Sequence, residues 1–278
     1  MAGPGLGAGG AAVLSARHRH PRAIGARRAA AVTVESIGHW GIIAAGEGQR
    51  FRDAGWAMPK PLIPVGGVPL IEHAVERFLA AGAPSLVVLL NAQDHASADW
   101  IRGRFSNSAV RVIARTTASS FESLRELLRQ GAGWERALVS TVDAWCPSED
   151  FLRFIESAVA HDPDATVLAV TPFVADERPL WVTPDATGQI RDLGGSAGRM
   201  VTAGFYLLPE RLRRLSPPPS AAGRLREFLA WLVHRGEPVY GVVLDTVVDV
   251  DDPDDVQLAE TLMAHAPSPP ASRGTPSP

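Results

Sequence analysis

The chain has 278 residues, 46% of them hydrophobic, a formal net charge of -3 and one cysteine, Cys146. These values suit one large or two small globular domains with an ample core. They argue against a dedicated nucleic-acid binder, which would carry a basic stripe, and exclude an internal disulfide framework or a cysteine-rich zinc site. No apolar stretch approaches the roughly 20 residues needed to cross a bilayer, and a reducing, cytoplasmic setting is the simplest reading of the cysteine usage.

Residues 1–36 are rich in Ala and Gly and carry Arg17, Arg19, Arg22, Arg27 and Arg28. They lack the compact apolar core of a secretory signal. A disordered basic tail or an upstream start is expected there, with an organellar targeting segment as the other reading. Residues 266–278, dominated by Pro and Ser, are expected to be disordered too. That leaves 37–265 as the folded domain.

Within it, "WGIIAA" reads as a buried strand and "GEGQRF" as the turn that leaves it. "PLIEHAVERFLAAG" places Leu70, Ile71, Ala74, Val75, Phe78 and Leu79 on one helical face and closes at Gly82. "SLVVLLN" and "VRVIAR" read as strands, and "SFESLRELLRQG" as a helix with a serine ahead of it. "RALVSTVDAW" is the next strand, followed by the helix "SEDFLRFIESAVA" with Ser148 as its N-cap. "ATVLAVTPF" is a strand, "PLWVTPDATGQIRDLG" a hairpin-like insertion, "RMVTAGFYLLPERL" a strand and "GRLREFLAWLVHRG" an amphipathic helix. The stretch from Val239 to His265 gives two strands and an acid-started helix. Strands that are apolar throughout, alternating with amphipathic helices, predict a three-layer α/β sandwich with a mostly parallel central sheet covered on both faces.

Lys60 is the only lysine against 26 arginines, and it sits between two prolines downstream of Gly46-Glu47-Gly48. A strand that runs into glycines can turn bare backbone N–H groups toward an anion. A Walker loop would need Lys-Ser/Thr where Gln49-Arg50 stand, and a dinucleotide fingerprint would need glycine where Phe51 stands. What remains is a phosphate cradle that adds Arg50 and reaches back with Lys60, two cations suited to attack at an α-phosphorus. Asp143 follows a buried strand, at the carboxyl edge of the sheet where ligands bind; a cap for the next turn is its alternative role. Asp251, Asp252, Asp254 and Asp255 read as turn and helix-start residues. His73 reads as packing or surface, and Trp56 as packing or a cover over the glycine loop.

The pattern A-A-G-x-G-x-R followed by P-K-P-L-x-P-V-G-G-x-P-L-I resembles the N-terminal signature of the nucleotidyltransferases that make nucleotide-sugars from sugar 1-phosphates and nucleoside triphosphates. The resemblance runs from Ile42 to about Glu260. It implies the nucleotide-diphospho-sugar-transferase fold, a Rossmann-like architecture. It implies that Gly46, Gly48 and Arg50 bind the triphosphate, that Lys60 contacts phosphate in the transition state, and that Ala44 and Ala45 lie beside the base. Asp143 and Asp249, the latter in "VVDVDDPDDVQLAE", match the family's two ligands for Mg²⁺. Val142 stands where a glycine is usual before the first of them.

The same resemblance assigns Ser119 and Ser120, in "TTASSFESL", to the base or sugar, and Thr202 and Gly204, in "VTAGFYLL", to the acceptor pocket. The family's Glu-Lys-Pro segment is absent; "IRDLGGSAGRM" stands there, offering Asp192, Arg191 and Arg199 toward the acceptor or its phosphate. The expected partners are a nucleoside triphosphate and a small phosphorylated acceptor, with no nucleic acid and no membrane. A homo-oligomer is compatible with the sequence. Two alternatives stay open: a CTP-dependent cytidylyltransferase acting on a phosphoalcohol or phosphonate, and a catalytically inactive regulator or scaffold of the same fold.

Overall fold

The computed structural model of the chain describes residues 35–107, 109–174 and 179–265. Apart from Glu35 and Ser36, the two expected tails lie outside the described residues. The chain opens with β1 (His39–Ala44), the short helix α1 (Gln49–Asp53), a 3₁₀ turn at Lys60–Leu62, strands β2 (Pro64–Val65) and β3 (Val68–Pro69), and helix α2 (Leu70–Ala80). It continues through β4 (Leu86–Leu90), α3 (His95–Arg104), β5 (Val110–Ala114), α4 (Ser120–Arg129), β6 (Arg136–Thr141), β7 (Ala144–Trp145) and α5 (Ser148–Val159). Then come β8 (Thr166–Thr171), β9 (Trp181–Pro184), β10 (Ile190–Leu193) and β11 (Met200–Pro209). The last elements are α6 (Pro219–Ala222), α7 (Leu225–His234), β12 (Val239–Val243), β13 (Val248–Asp249) and α8 (Pro253–His265).

β5, β4, β1 and β6 pair in parallel in that order, with Ile42 between Val88 and Ser140. β11 returns antiparallel beside β6 and carries β8 on its other side, and β12 lies parallel to β8. β9 and β10 form the expected hairpin, attached to the start of β11. Successive strand residues face opposite sides, so each strand feeds two cores. Ile42, Val88 and Leu138 pack with Phe78 of α2, Phe154 of α5 and Ala259 of α8 on one face. Ile43, Leu89 and Val139 pack with Leu127 of α4 and Phe228 of α7 on the other. This double coverage is why the strands lack polar alternation; each such side chain contributes on the order of 2 kcal/mol by leaving water. At Gly41 a Cβ would lie 2.6 Å from Leu127 Cδ2, so the glycine lets α4 seat directly on β1.

Two local features differ from the sequence reading. α3 was not expected; the Asp94 side chain accepts from Ser97 N (3.0 Å) and starts it. Ser148 is the first residue of α5, and Pro147 holds the cap position without a side-chain hydrogen bond. The Pro147 carbonyl accepts from Asp150 N (3.1 Å), so the cap falls one residue before Ser148 and leaves that hydroxyl inside the first turn, past the cap position. Gly82, at φ 90°, ends α2 as expected. Among the described residues no helix is long and apolar enough to cross a membrane.

Candidate active site

β1 delivers the buried Ala44 and the half-buried Ala45 to the glycine loop at the carboxyl edge of the sheet. Gly48, at φ 63°, turns the chain into α1; a Cβ there would sit 2.8 Å from Lys60 Cβ. Glycine is thus what lets the loop close onto the proline-flanked segment. Lys60, only 7% exposed, points into the domain beside that loop. Its Nζ donates to Asp143 Oδ2 at 2.6 Å and also to Asp251 Oδ1. Asp251 Oδ2 in turn accepts from Arg50 Nη1 at 3.2 Å.

Asp143 and Asp249 lie far apart in sequence, and backbone pairing joins them. β7 and β13 form a two-residue antiparallel ladder, with Val248 opposite Trp145 and Asp249 opposite Ala144, and Val250 N donates to Asp143 O at 3.0 Å. Arg77 of α2 braces this ladder from below. Its guanidinium donates to Ala144 O (3.0 Å) and lies over the rings of Phe151 and Phe205. α8 is fixed by a reciprocal cap: Asp252 Oδ1 accepts from Asp255 N (3.1 Å), and Asp255 Oδ2 accepts from Asp252 N (3.1 Å) and Asp251 N (2.9 Å).

The electrostatics follow from this packing. Burial works against charge on Asp143, but the Lys60 ammonium outweighs it and holds the carboxyl below the usual range. Asp249 keeps an exposed edge while the chain packs around it, and that crowding with the neighbouring Asp143 charge pushes its carboxyl well up. Burial opposes the Lys60 charge as well, yet Asp143, Asp251 and Asp249 together raise its pKa. Asp143 Oδ1 is buried and finds no hydrogen-bond donor.

Two depressions meet along this row of charges. One, of about 380 Å³, is lined by Gly46, Glu47, Arg52, Lys60, Asn91 and neighbouring residues. The other, of about 240 Å³, includes Asp143, Asp249, Ser120, Thr202, Gly204 and Tyr206. The structure thus gathers Arg50, Lys60, Asp143 and Asp249 with the glycine loop on one side and Thr202 and Gly204 on the other. Gly204, at φ 69°, is required by its own neighbours, since a Cβ would meet Ala144 Cβ at 2.5 Å, and it lines the same depression as Asp143 and Asp249.

Other expected residues are placed differently. Ser119 Oγ caps α4 by accepting from Glu122 N (3.2 Å) and donates to Ala222 O (3.2 Å); Ser120 Oγ accepts from Leu225 N (2.9 Å). Ser119 thus ties α6 to α4 and Ser120 ties α7 to α4, while Ser120 stays exposed on the wall of the depression that holds Asp143 and Asp249. Asp192 lies on β10 beside α7, its Oδ1 3.6 Å from His234 Nε2, and Arg199 is exposed on the β10–β11 connection; neither lines the depression that holds Asp143 and Asp249. Arg191 pairs with Asp185 in the hairpin turn at 2.7 Å. Trp56 and His73 take the packing roles expected of them: Trp56 packs against Phe51 of α1, ring centroids 5.5 Å apart, and His73 Nε2 donates to Val65 O (2.8 Å).

Sequence reasoning missed four residues here: Asp251, Arg77, Arg224 and Arg226. Asp251 was read as part of a turn, whereas it bridges Lys60 and Arg50. Arg224 and Arg226, at the start of α7, line the depression with Asp143 and Asp249.

The sequence model of the family described as MobA-like NTP transferase domain matches residues 41–211. Mannose-1-phosphate guanylyltransferase 1 of Arabidopsis thaliana is 23% identical over 192 residues, 65% of this chain and 52% of that protein. The UTP–glucose-1-phosphate uridylyltransferase of Escherichia coli (strain K12) is 28% identical over 144 residues, 52% of this chain and 41% of that protein. The chain spans about half the length of these curated relatives. The solved inositol-1-phosphate CTP transferase from T. maritima shares the fold, with a TM-score of 0.70 at 15% identity over 84% of this chain and 98% of that one. Since the family match takes in the glycine loop, Lys60 and Asp143 and extends over more than half of the chain, this protein belongs to the MobA-like NTP transferase domain family.

Proposed function

We propose that the protein transfers a nucleotidyl group from a nucleoside triphosphate to the phosphate of a small acceptor, the sugar 1-phosphate class being the one named for its relatives. An oxygen of the acceptor phosphate attacks the α-phosphorus. A P–O bond forms there as the bond to the bridging oxygen of the β-phosphate breaks, and that bond's electron pair leaves with pyrophosphate. No protein nucleophile is needed. Arg50 and Lys60 hold the triphosphate oxygens at the glycine loop, and charge that develops on them in the transition state meets fixed cations. The observation that carries this reading is the buried Lys60 set 2.6 Å from Asp143 at the meeting of the two depressions.

Mg²⁺ belongs to the proposal, and Asp143 and Asp249 fit it. A buried carboxylate oxygen without a donor beside a second carboxylate is an arrangement that a dication satisfies. Among the described residues no three His, Cys, Asp or Glu side chains form a metal cage; Mg²⁺ commonly takes one or two carboxylates and fills its remaining positions from phosphate and water. Bound there, it would neutralise phosphate charge. A reducing, cytoplasmic setting accords with the lone, buried Cys146.

The test is a matrix of the four nucleoside triphosphates against sugar phosphates and phosphoalcohols, read as pyrophosphate release. The expected outcome is release from at least one pair, stopped by EDTA and restored by Mg²⁺. Release only with CTP and phosphoalcohols selects the cytidylyltransferase alternative. No release from any pair leaves a regulator built on this fold.

A further inference from the structure

α7 begins in an unusual way. Its N-cap is Arg224, no side chain caps it, and Arg226 follows in the first turn, with Glu227 as the acidic residue there. Cap positions favour Ser, Thr, Asp or Asn, and cations oppose the positive end of a helix dipole. Two arginines here work against the helix they start. Their position is nonetheless fixed: Ser120 Oγ holds Leu225 N, between them, at 2.9 Å, and Ser119 Oγ holds Ala222 O at 3.2 Å. Both arginines line the depression that contains Asp143 and Asp249. Arg226 also lines the adjoining inner recess beside Thr171, Thr202 and Asp249, and its charge reaches the Tyr206 hydroxyl.

The chemistry of the lining narrows what enters. A guanidinium offers donors and no acceptor, and its planar fork matches a carboxylate or phosphate. A neutral hexose presents hydroxyl donors that need acceptors. The described carboxylates of this cleft are Asp143 and Asp249, which the proposed reaction commits to the metal, and much of the inner recess is apolar, with Phe173, Leu180, Val201 and Val247.

We infer that the acceptor carries a second anionic group besides its reacting phosphate, held by Arg226 with Arg224. The inference rests on the nucleotidyl transfer proposed above and leaves its bond changes the same: the acceptor's phosphate oxygen joins the α-phosphorus and pyrophosphate departs. The second anion stays intact and serves for recognition.

The experiment compares pyrophosphate release with glucose 1-phosphate, glucuronic acid 1-phosphate, glucose 1,6-bisphosphate and 3-phosphoglycerate. The first is neutral beyond its reacting phosphate; the others add a carboxylate or a second phosphate and tell the two sources apart. At least one charged acceptor should exceed glucose 1-phosphate about tenfold or more in kcat/KM. R226Q should raise the KM for that acceptor about tenfold while the KM for the nucleotide holds. R224Q, at an exposed position that leaves the core untouched, should do so to a smaller degree. Equal or better use of glucose 1-phosphate, or an R226Q variant that weakens charged and neutral acceptors alike, overturns the inference and leaves the transfer reaction standing. No release from any acceptor removes the reaction itself, and the inference with it.

Discussion

Lys60 Nζ stands 2.6 Å from Asp143 Oδ2, an ion pair closed across 83 positions of sequence at the carboxyl edge of the sheet. Breaking one side of a buried pair leaves an uncompensated charge, which costs about 3–5 kcal/mol. K60M keeps the bulk of the stem but strands Asp143 next to Asp249 and Asp251. It should lower stability by about that amount in urea unfolding and cut pyrophosphate release by about 10² or more. A variant with wild-type stability and turnover would show that the pair does neither job.

Asp249 gives the opposite sign for stability. Its carboxyl is pushed well above the usual range in the folded chain by the protein packed around its partly exposed side chain and by the Asp143 charge. Above about pH 4, where the unfolded chain ionises this group, its charge is therefore a net cost of folding; below that pH the cost disappears. D249N should raise the Tm of EDTA-treated protein at pH 7, with the gain vanishing near pH 4, while turnover falls by about 10² or more. A residue that improves the fold when neutralised and ends activity is one held for chemistry.

The acid limit of stability should come from histidine. His39 is buried, stacks on Trp134 at 5.5 Å and donates from Nε2 to Leu127 O at 3.0 Å, and burial lowers its pKa. His73 and His161 are also shifted down, chiefly by burial. The folded chain keeps these rings neutral, so the unfolded chain binds more protons as pH falls below about 6.5. Each histidine then removes up to about 1.4 kcal/mol per pH unit until its folded pKa is reached. H39Q retains a donor for Leu127 O without titrating. Its unfolding free energy should fall less steeply between pH 6.5 and pH 5 than that of the parent chain, measured by urea unfolding across that range.

What the sequence disclosed follows the range over which each feature is encoded. β1, β4, β6 and β8 are buried on both faces, so their apolar runs name them without reference to anything else. α3 buries only Ser97, Ala98 and Ile101, too narrow a stripe for helical spacing to stand out. Asp143 could be read from its place just after a buried strand, at the edge where ligands bind, whereas Asp249 was legible only through the resemblance of its segment to the family's metal-ligand element. Asp251 was not, since its partner Lys60 lies 191 positions away and its neighbours spell a helix start. Arg224 and Arg226 belong to a segment whose pattern encodes an amphipathic helix. That its first turn faces the cleft depends on packing from outside the segment, where Leu225 N donates to Ser120 Oγ.

Asp251 leads to the last expectation. It sets one carboxylate oxygen on Lys60 and the other on Arg50, the two cations proposed to grip the triphosphate, and the α8 cap fixes its backbone. A carboxylate so placed both orients the cations and competes with phosphate for them. Its removal therefore divides the kinetic constants instead of lowering them together. D251N should leave the KM for the nucleotide unchanged or lower, because a competing anion is gone, while kcat drops by about tenfold as Arg50 and Lys60 lose their common brace. D251E, which restores the charge, should recover part of kcat. A raised nucleotide KM with kcat intact would make Asp251 part of the nucleotide's own binding surface and end the bracing role.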